Sequence, residues 1–303
     1  MIIDTETHIM QFARPARLNP HMSMTKHYTW HEHPAELLIA EMDAAGVDTV
    51  FCISYDAEDI WWGMRQRGFS IEDFAGGRKY TQLGVRDFPD RLLWFNTLKD
   101  PRKYDLPALI EQDKKDGVTG LKIFPGFMGI DLDDPKLIES LEVATQLGLP
   151  LLISFEVLRP PATRSLSEYC EQLPRLLDRL PNLQVCLLHA GCADPMTPAI
   201  EPIAALTRQY PQLYLSTAYP GEVWDDGTEY PFANYLGRMK RLVELVGPDK
   251  MMWGTDWPWF EHQFKYPQAV DAIRLHADFF DAAGRQAFLG GTAATYLRKA
   301  SES

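Results

Sequence analysis

Three apolar stretches of this 303-residue chain end in side chains that could bind a cation or move a proton. At the start, Met1-Ile2-Ile3 runs into Asp4-Thr5-Glu6-Thr7-His8. Side chains alternate along an extended backbone, so Glu6 and His8 point to the same side, where a carboxylate and an imidazole can both reach one hard or borderline cation. Further on, Val185-Cys186-Leu187-Leu188 ends in His189. Near the C-terminus, Met251-Met252-Trp253-Gly254-Thr255 ends in Asp256, followed by Trp257-Pro258. Each has a plainer reading. Glu6 and His8 could be solvated or capping groups, His189 a structural imidazole, and Asp256 a turn or cap residue before Trp-Pro. Their joint meaning depends on whether one fold brings these strand ends together.

The elements that must position them follow a coarse rhythm. Strands are expected at Met1–Thr5, Asp48–Ser54, Leu92–Leu98, Thr119–Phe124, Leu149–Phe155, Gln184–His189, Leu213–Thr217 and Met251–Thr255. Most are continuous apolar runs, the pattern of strands covered on both faces. Helical patterns lie between them: Pro34–Ala45 before Gly46, Leu106–Asp116 before Gly117, Pro135–Leu147 before Gly148, Leu166–Leu180 before Pro181, Pro198–Tyr210 before Pro211 and Phe232–Val246 before Gly247. Glycine or proline just past the last turn is the usual stop signal. This alternation predicts a (β/α)8 TIM barrel, an α/β fold, as a single domain over residues 1–303 with terminal helices at Asp281–Ala300. A doubly wound sheet is the alternative. It usually carries a glycine-rich turn after its first strand, and Asp4–Met10 has none. In a barrel the C-terminal strand ends form one rim, where sites are built. Glu6, His8, His189 and Asp256 then converge. Long insertions at 9–33, 55–80 and 218–231 fall on the same side as rim loops.

Other groups belong to that rim. Lys122, in GLKIFPG, and Arg159, in EVLRPPATR, are cations suited to a substrate carboxylate, with Arg14 and Arg17 as weaker candidates. His21, His27, His31 and His33 are irregularly spaced, which suits a covering loop better than a structural metal site. Trp61, Trp62, Trp224, Trp257 and Trp259 either pack the long loops or line an aromatic pocket for a ring-shaped substrate. The composition narrows the classes. With 46% hydrophobic and 24% charged residues the chain is neither disordered nor collagen-like. A net charge of −12 gives no electrostatic footprint for nucleic acid or an anionic membrane, so the expected partner is a small molecule. No apolar run approaches the roughly 20 residues that span a bilayer. Met1–Glu6 lacks the basic start of a signal peptide, and the four cysteines, not in CxxC spacing, fit reduced thiols in the cytoplasm.

The ordered set IDTETH, LLHAG, MWGTDWPW and FLGGTAATYL resembles the amidohydrolase superfamily, and within it the amidohydrolase-related branch of lactonases and non-oxidative decarboxylases. The resemblance runs over almost the whole chain. It implies a (β/α)8 barrel with a divalent metal, zinc or manganese, at the strand ends, and it leaves metal-independent catalysis and a homodimer open. Motif by motif, Glu6 and His8 match the first-strand metal pair, His189 the sixth-strand histidine and Asp256 the eighth-strand aspartate, as metal ligand and catalytic group. Two departures stand out. The first motif is Glu-x-His where His-x-His is common, and Ser154 stands where the fifth strand commonly carries a ligand histidine. Glu156, two residues on, is the candidate substitute ligand; the alternative is a metal held by Glu6, His8 and Asp256, with His189 as a further candidate. Some superfamily members carboxylate a lysine at the position of Lys122. The expected reaction is opening of a small carboxylated lactone by Asp256-activated water, with His189 at the carbonyl oxygen. The alternatives are non-oxidative decarboxylation of an aromatic or unsaturated acid, and a barrel that binds a ligand without turnover.

Overall fold

A computed structural model describes residues 1–12, 34–54, 74–76, 78–155, 164–217, 229–258 and 264–302. Eight parallel strands follow one another in chain order: β1 (Ile3–Thr7), β3 (Thr49–Ser54), β5 (Leu92–Thr97), β6 (Gly120–Ile123), β7 (Leu151–Ile153), β8 (Val185–Leu187), β9 (Leu213–Ser216) and β10 (Met251–Met252). The last strand returns to the first. The Thr5 amide donates to the Trp253 carbonyl at 3.1 Å, the Asp256 amide to Glu6 at 2.8 Å and the His8 amide to Trp257 at 2.8 Å. The expected (β/α)8 barrel is therefore present. Two short strands, β2 (Met10–Phe12) and β4 (Phe74–Gly76), pair antiparallel and join the first two rim insertions, which spacing alone did not suggest.

The strands are buried on both faces, as their continuous apolar runs predict. Outward residues such as Val50, Leu121, Ile123, Leu151, Ile153, Val185 and Leu187 pack under the helices. Inward residues, Ile3, Phe51, Ile53, Phe95, Leu152, Cys186, Leu188, Tyr214 and Met252, fill the barrel's interior. Gly120 is demanded by this filling, because a Cβ there would lie 2.2 Å from the Phe95 ring. Tyr296, on the C-terminal helix Thr292–Ser301, closes the lower end, stacking on Phe51 and donating its hydroxyl to the Leu151 carbonyl at 2.9 Å.

The outer helices form where periodicity and stop signals place them, among them Pro34–Ala45, Leu106–Lys115, Pro135–Gln146, Leu166–Arg179, Ile200–Gln209 and Ala233–Val246. Asp105 and Asp134 cap two of them, and Ser165 with Glu168 forms a reciprocal capping box on a third. Gly117 and Gly148 end their helices at φ of 92° and 67°, a conformation costly for any side chain. Helices Arg78–Asp87 and Tyr266–His276 add to those expected. The last six strands end one to three residues before the apolar runs do, because the chain turns there to build the rim, whereas β1 runs on to Thr7 and β3 ends at Ser54 as expected. No described helix is long and apolar enough to cross a membrane.

Candidate active site

An irregularity in β1 aims the first pair. Ile3 pairs with Thr49 and Asp4 with Val50, but Thr7 pairs with Cys52, so β1 carries one extra residue. A bulge of this kind changes which face the following side chains take. Ile3 lies in the barrel interior, and strict alternation from it would send Glu6 outward. Instead Thr5 and Glu6 both face the axis: the Thr5 hydroxyl lies 2.8 Å from that of Ser216, and Glu6 reaches across to Lys122 on β6. The shared orientation of Glu6 and His8 was legible from spacing, whereas its direction comes from the bulge.

His189 and Asp256 are held in the left-handed backbone region, at φ of 55° and 59°. Non-glycine residues occupy it at a cost of order 1–3 kcal/mol, and such strain clusters at functional sites. His189 opens a tight turn through Ala190, Gly191 and Cys192, all at positive φ. A Cβ on Gly191 would meet the Ile203 terminal methyl at 2.5 Å, so that side chain would have to shift, and the φ of 70° itself disfavours any residue but glycine. Asp256 is held by its amide bond to Glu6 and by the residue before it. Asp4, fully buried, accepts from the Thr255 amide at 2.9 Å, the Thr255 hydroxyl at 2.5 Å, the Tyr266 hydroxyl at 2.8 Å and the Glu6 amide at 3.1 Å. One carboxylate thereby fixes both the segment bearing Glu6 and the segment bearing Asp256. Sequence reasoning assigned Asp4 no role, although a carboxylate inside an apolar first strand is a buried polar group in need of partners.

These segments bring five ionisable side chains together. His8 Nε2 lies 3.0 Å from Asp256 Oδ1 and 3.8 Å from Glu6 Oε1. His189 Nε2 lies 3.8 Å from Glu6 Oε2, and the Lys122 ammonium donates to Glu6 Oε1. His8 Nδ1 lies 3.1 Å from the Ile53 carbonyl, which can only accept, so Nδ1 carries a proton and Nε2 is the atom turned into the site. Burial alone would favour a neutral His8, but its contacts with Asp256 and Glu6 outweigh burial and hold the imidazole above its ordinary pKa. The two carboxyls are driven apart. Burial would raise Glu6, yet Lys122, His189 and His8 together push it well below the usual carboxylate range. Asp256 is raised, by burial and then by the Glu6 charge, with His8 opposing.

Among the described residues, Glu6, His8 and Asp256 offer ligand atoms that all lie within 4.8 Å of one another. Among the described residues Glu6 Oε2 is buried without a hydrogen-bond partner, an orphan a cation would satisfy. A mixed nitrogen and oxygen donor set with one buried carboxylate oxygen unclaimed fits a divalent ion such as zinc or manganese. Ser154 is fully buried on the inward face beyond β7. Lys122 is engaged with Glu6, and carboxylating it would set a second anion against that carboxylate. Trp257 is buried, and its backbone pairs with Thr7. Arg14, Arg17, His21, His27, His31, His33, Trp61, Trp62, Glu156, Arg159, Trp224 and Trp259 lie outside the described residues.

Known proteins resemble this chain in sequence and in fold. A 2-amino-3-carboxymuconate-6-semialdehyde decarboxylase of Dictyostelium discoideum is 27% identical over 207 residues, 60% of this chain and 54% of that protein. The chain spans about half the length of this relative. A probable 2-pyrone-4,6-dicarboxylic acid hydrolase from Acinetobacter baumannii, solved with citric acid bound, superposes with a TM-score of 0.67 at 16% identity, covering 98% of this chain and 99% of that one. A 5-carboxyvanillate decarboxylase from Novosphingobium aromaticivorans, solved with manganese and 4-hydroxy-3-methoxy-5-nitrobenzoic acid, superposes with a TM-score of 0.60 at 16% identity, covering 98% and 96%. At these identities the superpositions speak for the shared barrel. The family model described as amidohydrolase matches residues 3–299, nearly the whole length, and the chain belongs to that family.

Proposed function

We propose that the protein is a hydrolase that opens a small carboxylated lactone or similar cyclic carbonyl compound, with Asp256 as general base. The observation that carries this reading is the separation of the two site carboxyls, Glu6 held ionised and Asp256 pushed upward. Neighbouring carboxyls whose environments drive them apart take different roles, and the raised one is the stronger proton acceptor of the two. Asp256 takes the proton from the attacking water, oriented by its bond to His8. His189, beside Glu6 on the rim, donates a hydrogen bond to the substrate carbonyl and stabilises the oxygen as charge develops on it. Arg159, which follows β7 in the sequence, anchors the substrate carboxylate, since Lys122 is engaged with Glu6. Glu6, His8 and Asp256 are the residues that would hold a divalent metal. Such an ion, when bound, lowers the pKa of water toward about 7 and polarises carbonyl groups.

The test is product chemistry on a panel of carboxylated lactones and hydroxylated aromatic acids. The expected result is one new carboxylate per lactone opened, with turnover falling roughly 10²–10⁴-fold in Asp256→Asn. The second reading is non-oxidative decarboxylation, favoured by the 27% identity to a decarboxylase. In that case Asp256 or His189 delivers a proton to substrate carbon. Release of CO2 from the aromatic acids, with the lactones left intact, would replace the first reading by the second.

A further inference from the structure

The two oxygens of Glu6 are treated differently. Oε1 accepts from the Lys122 ammonium, while Oε2 has no hydrogen-bond partner among the described residues. Lys122 is itself only 1% exposed and comes from β6, across the barrel from β1. Its Nζ sits 4.4 Å from the centre of the Phe124 ring, an aromatic face that holds a cation without hydrating it. A unit charge fixed in such a place is screened far less than one in water, so it acts strongly on any ion that enters beside it.

This bears on how the cluster takes a metal. Glu6 and Asp256 supply two negative charges, and Lys122 balances one of them. A divalent cation arriving at Glu6, His8 and Asp256 therefore meets one uncompensated carboxylate charge instead of two, and an ammonium already in place repels it. Lys122 also claims Oε1, which leaves Glu6 a single oxygen to offer. We propose that Lys122 is a resident cation that limits how tightly the Glu6–His8–Asp256 cluster binds a divalent metal and restricts Glu6 to one ligand oxygen. The proposal rests on reading that cluster as the metal site. It places Lys122 in a positioning and charge-setting role, and not as an anchor for substrate.

Metal affinity, measured on the whole chain without any substrate, separates this role from a purely structural one. Chelator-treated wild type, Lys122→Met and Lys122→Arg are titrated with Mn2+ and Zn2+ by calorimetry. Methionine keeps most of the side-chain length without the charge, and arginine keeps the charge. Lys122→Met is expected to bind both metals about tenfold more tightly or better, with Lys122→Arg staying within about threefold of wild type. Circular dichroism and thermal melting check that each variant is folded, and Lys122→Gln replaces the methionine variant if that fails. Equal or weaker binding by a folded, uncharged variant overturns the role of Lys122 and leaves the metal site standing. Failure of wild type and every variant to bind either metal overturns the metal site and this proposal together. Binding by the uncharged variant alone supports both and makes Lys122 the reason wild type stays empty.

Discussion

The two ends of the barrel interior are built from the same strands and on the same alternation, yet they differ in almost every physical respect. At the lower end Phe51 and Phe95 stack at 4.4 Å between ring centres, Tyr214 meets Tyr296 edge-on, and the Tyr296 hydroxyl is satisfied by a backbone carbonyl. Part-buried Lys250 and Lys299 approach the Tyr214 ring from its edge of the barrel, at 5.1 and 5.8 Å, but among the described residues no carboxylate lies among these rings. At the upper end the inward positions carry Glu6 and Lys122, with His8, His189 and Asp256 closing over them. There the backbone is strained, a carboxylate oxygen has no hydrogen-bond partner among the described residues, and two carboxyls are pushed in opposite directions. The lower layer holds the fold. The upper layer can afford strain because the lower one is packed like a solid.

The sharpest way to break this contrast is a pair of substitutions, one in each layer. Phe51→Ala removes a fully buried ring from the lower layer and is expected to cost about 3–5 kcal/mol in chemical denaturation, with the rim chemistry largely retained in the protein that stays folded. Asp256→Asn, expected to lower turnover, should leave the melting temperature within about 2 °C or raise it, because it removes a carboxylate that burial and Glu6 disfavour and because asparagine tolerates positive φ. If Asp256→Asn instead unfolds the protein, the division between the layers is wrong.

A smaller effect is expected where the two regions are tied. Asp4→Asn replaces a buried carboxylate that accepts from four donors with an amide that cannot accept from them all. Stability should fall by about 1–3 kcal/mol. Turnover should fall as well, since Thr255 and the Glu6 amide lose their common anchor, and kinetics run beside denaturation reads both. Smaller again is Tyr296→Phe, which keeps the ring but drops the hydroxyl bond to Leu151, for about 0.5–1.5 kcal/mol in stability and no change in turnover.

The mildest prediction concerns the rim loop after β5. Asp100 accepts from Arg102 at 2.8 and 2.7 Å, and Arg102 also donates to the Met128 and Gly129 carbonyls, tying this loop to the next. Burial would raise the Asp100 carboxyl, but the Arg102 hydrogen bonds outweigh it and hold it below its ordinary 3.8. Its contribution is therefore complete above about pH 4 and is lost as pH falls through the lowered value in the folded protein. Melting curves of Asp100→Asn against pH should show a shallower loss of stability in acid than wild type, with the two curves differing most at neutral pH.

Much of the fold was legible because it is written in local energies. Continuous apolar runs mark strands covered on both faces, and Gly117 and Gly148 mark helix ends because only glycine takes those angles cheaply. The helix Tyr266–His276 was harder to read, because an aromatic-rich stretch separates it from the strand run at Met251–Thr255. The candidate site was legible in outline. Glu6, His8, His189 and Asp256 each end an apolar stretch, and the structure does bring them together.

What the sequence alone determined was the alternation of strands and helices, the barrel it requires, and the short list of polar residues at strand ends. Tertiary structure decided how those residues meet. The extra residue in β1 turns Glu6 toward the axis, the pairing of Glu6 with Lys122 spans 116 positions, and Asp4 joins β1 to a threonine 251 positions away. Periodicity reports only the interactions of near neighbours. Contacts across a barrel depend on strand register and closure, which arise when all eight strands pack at once.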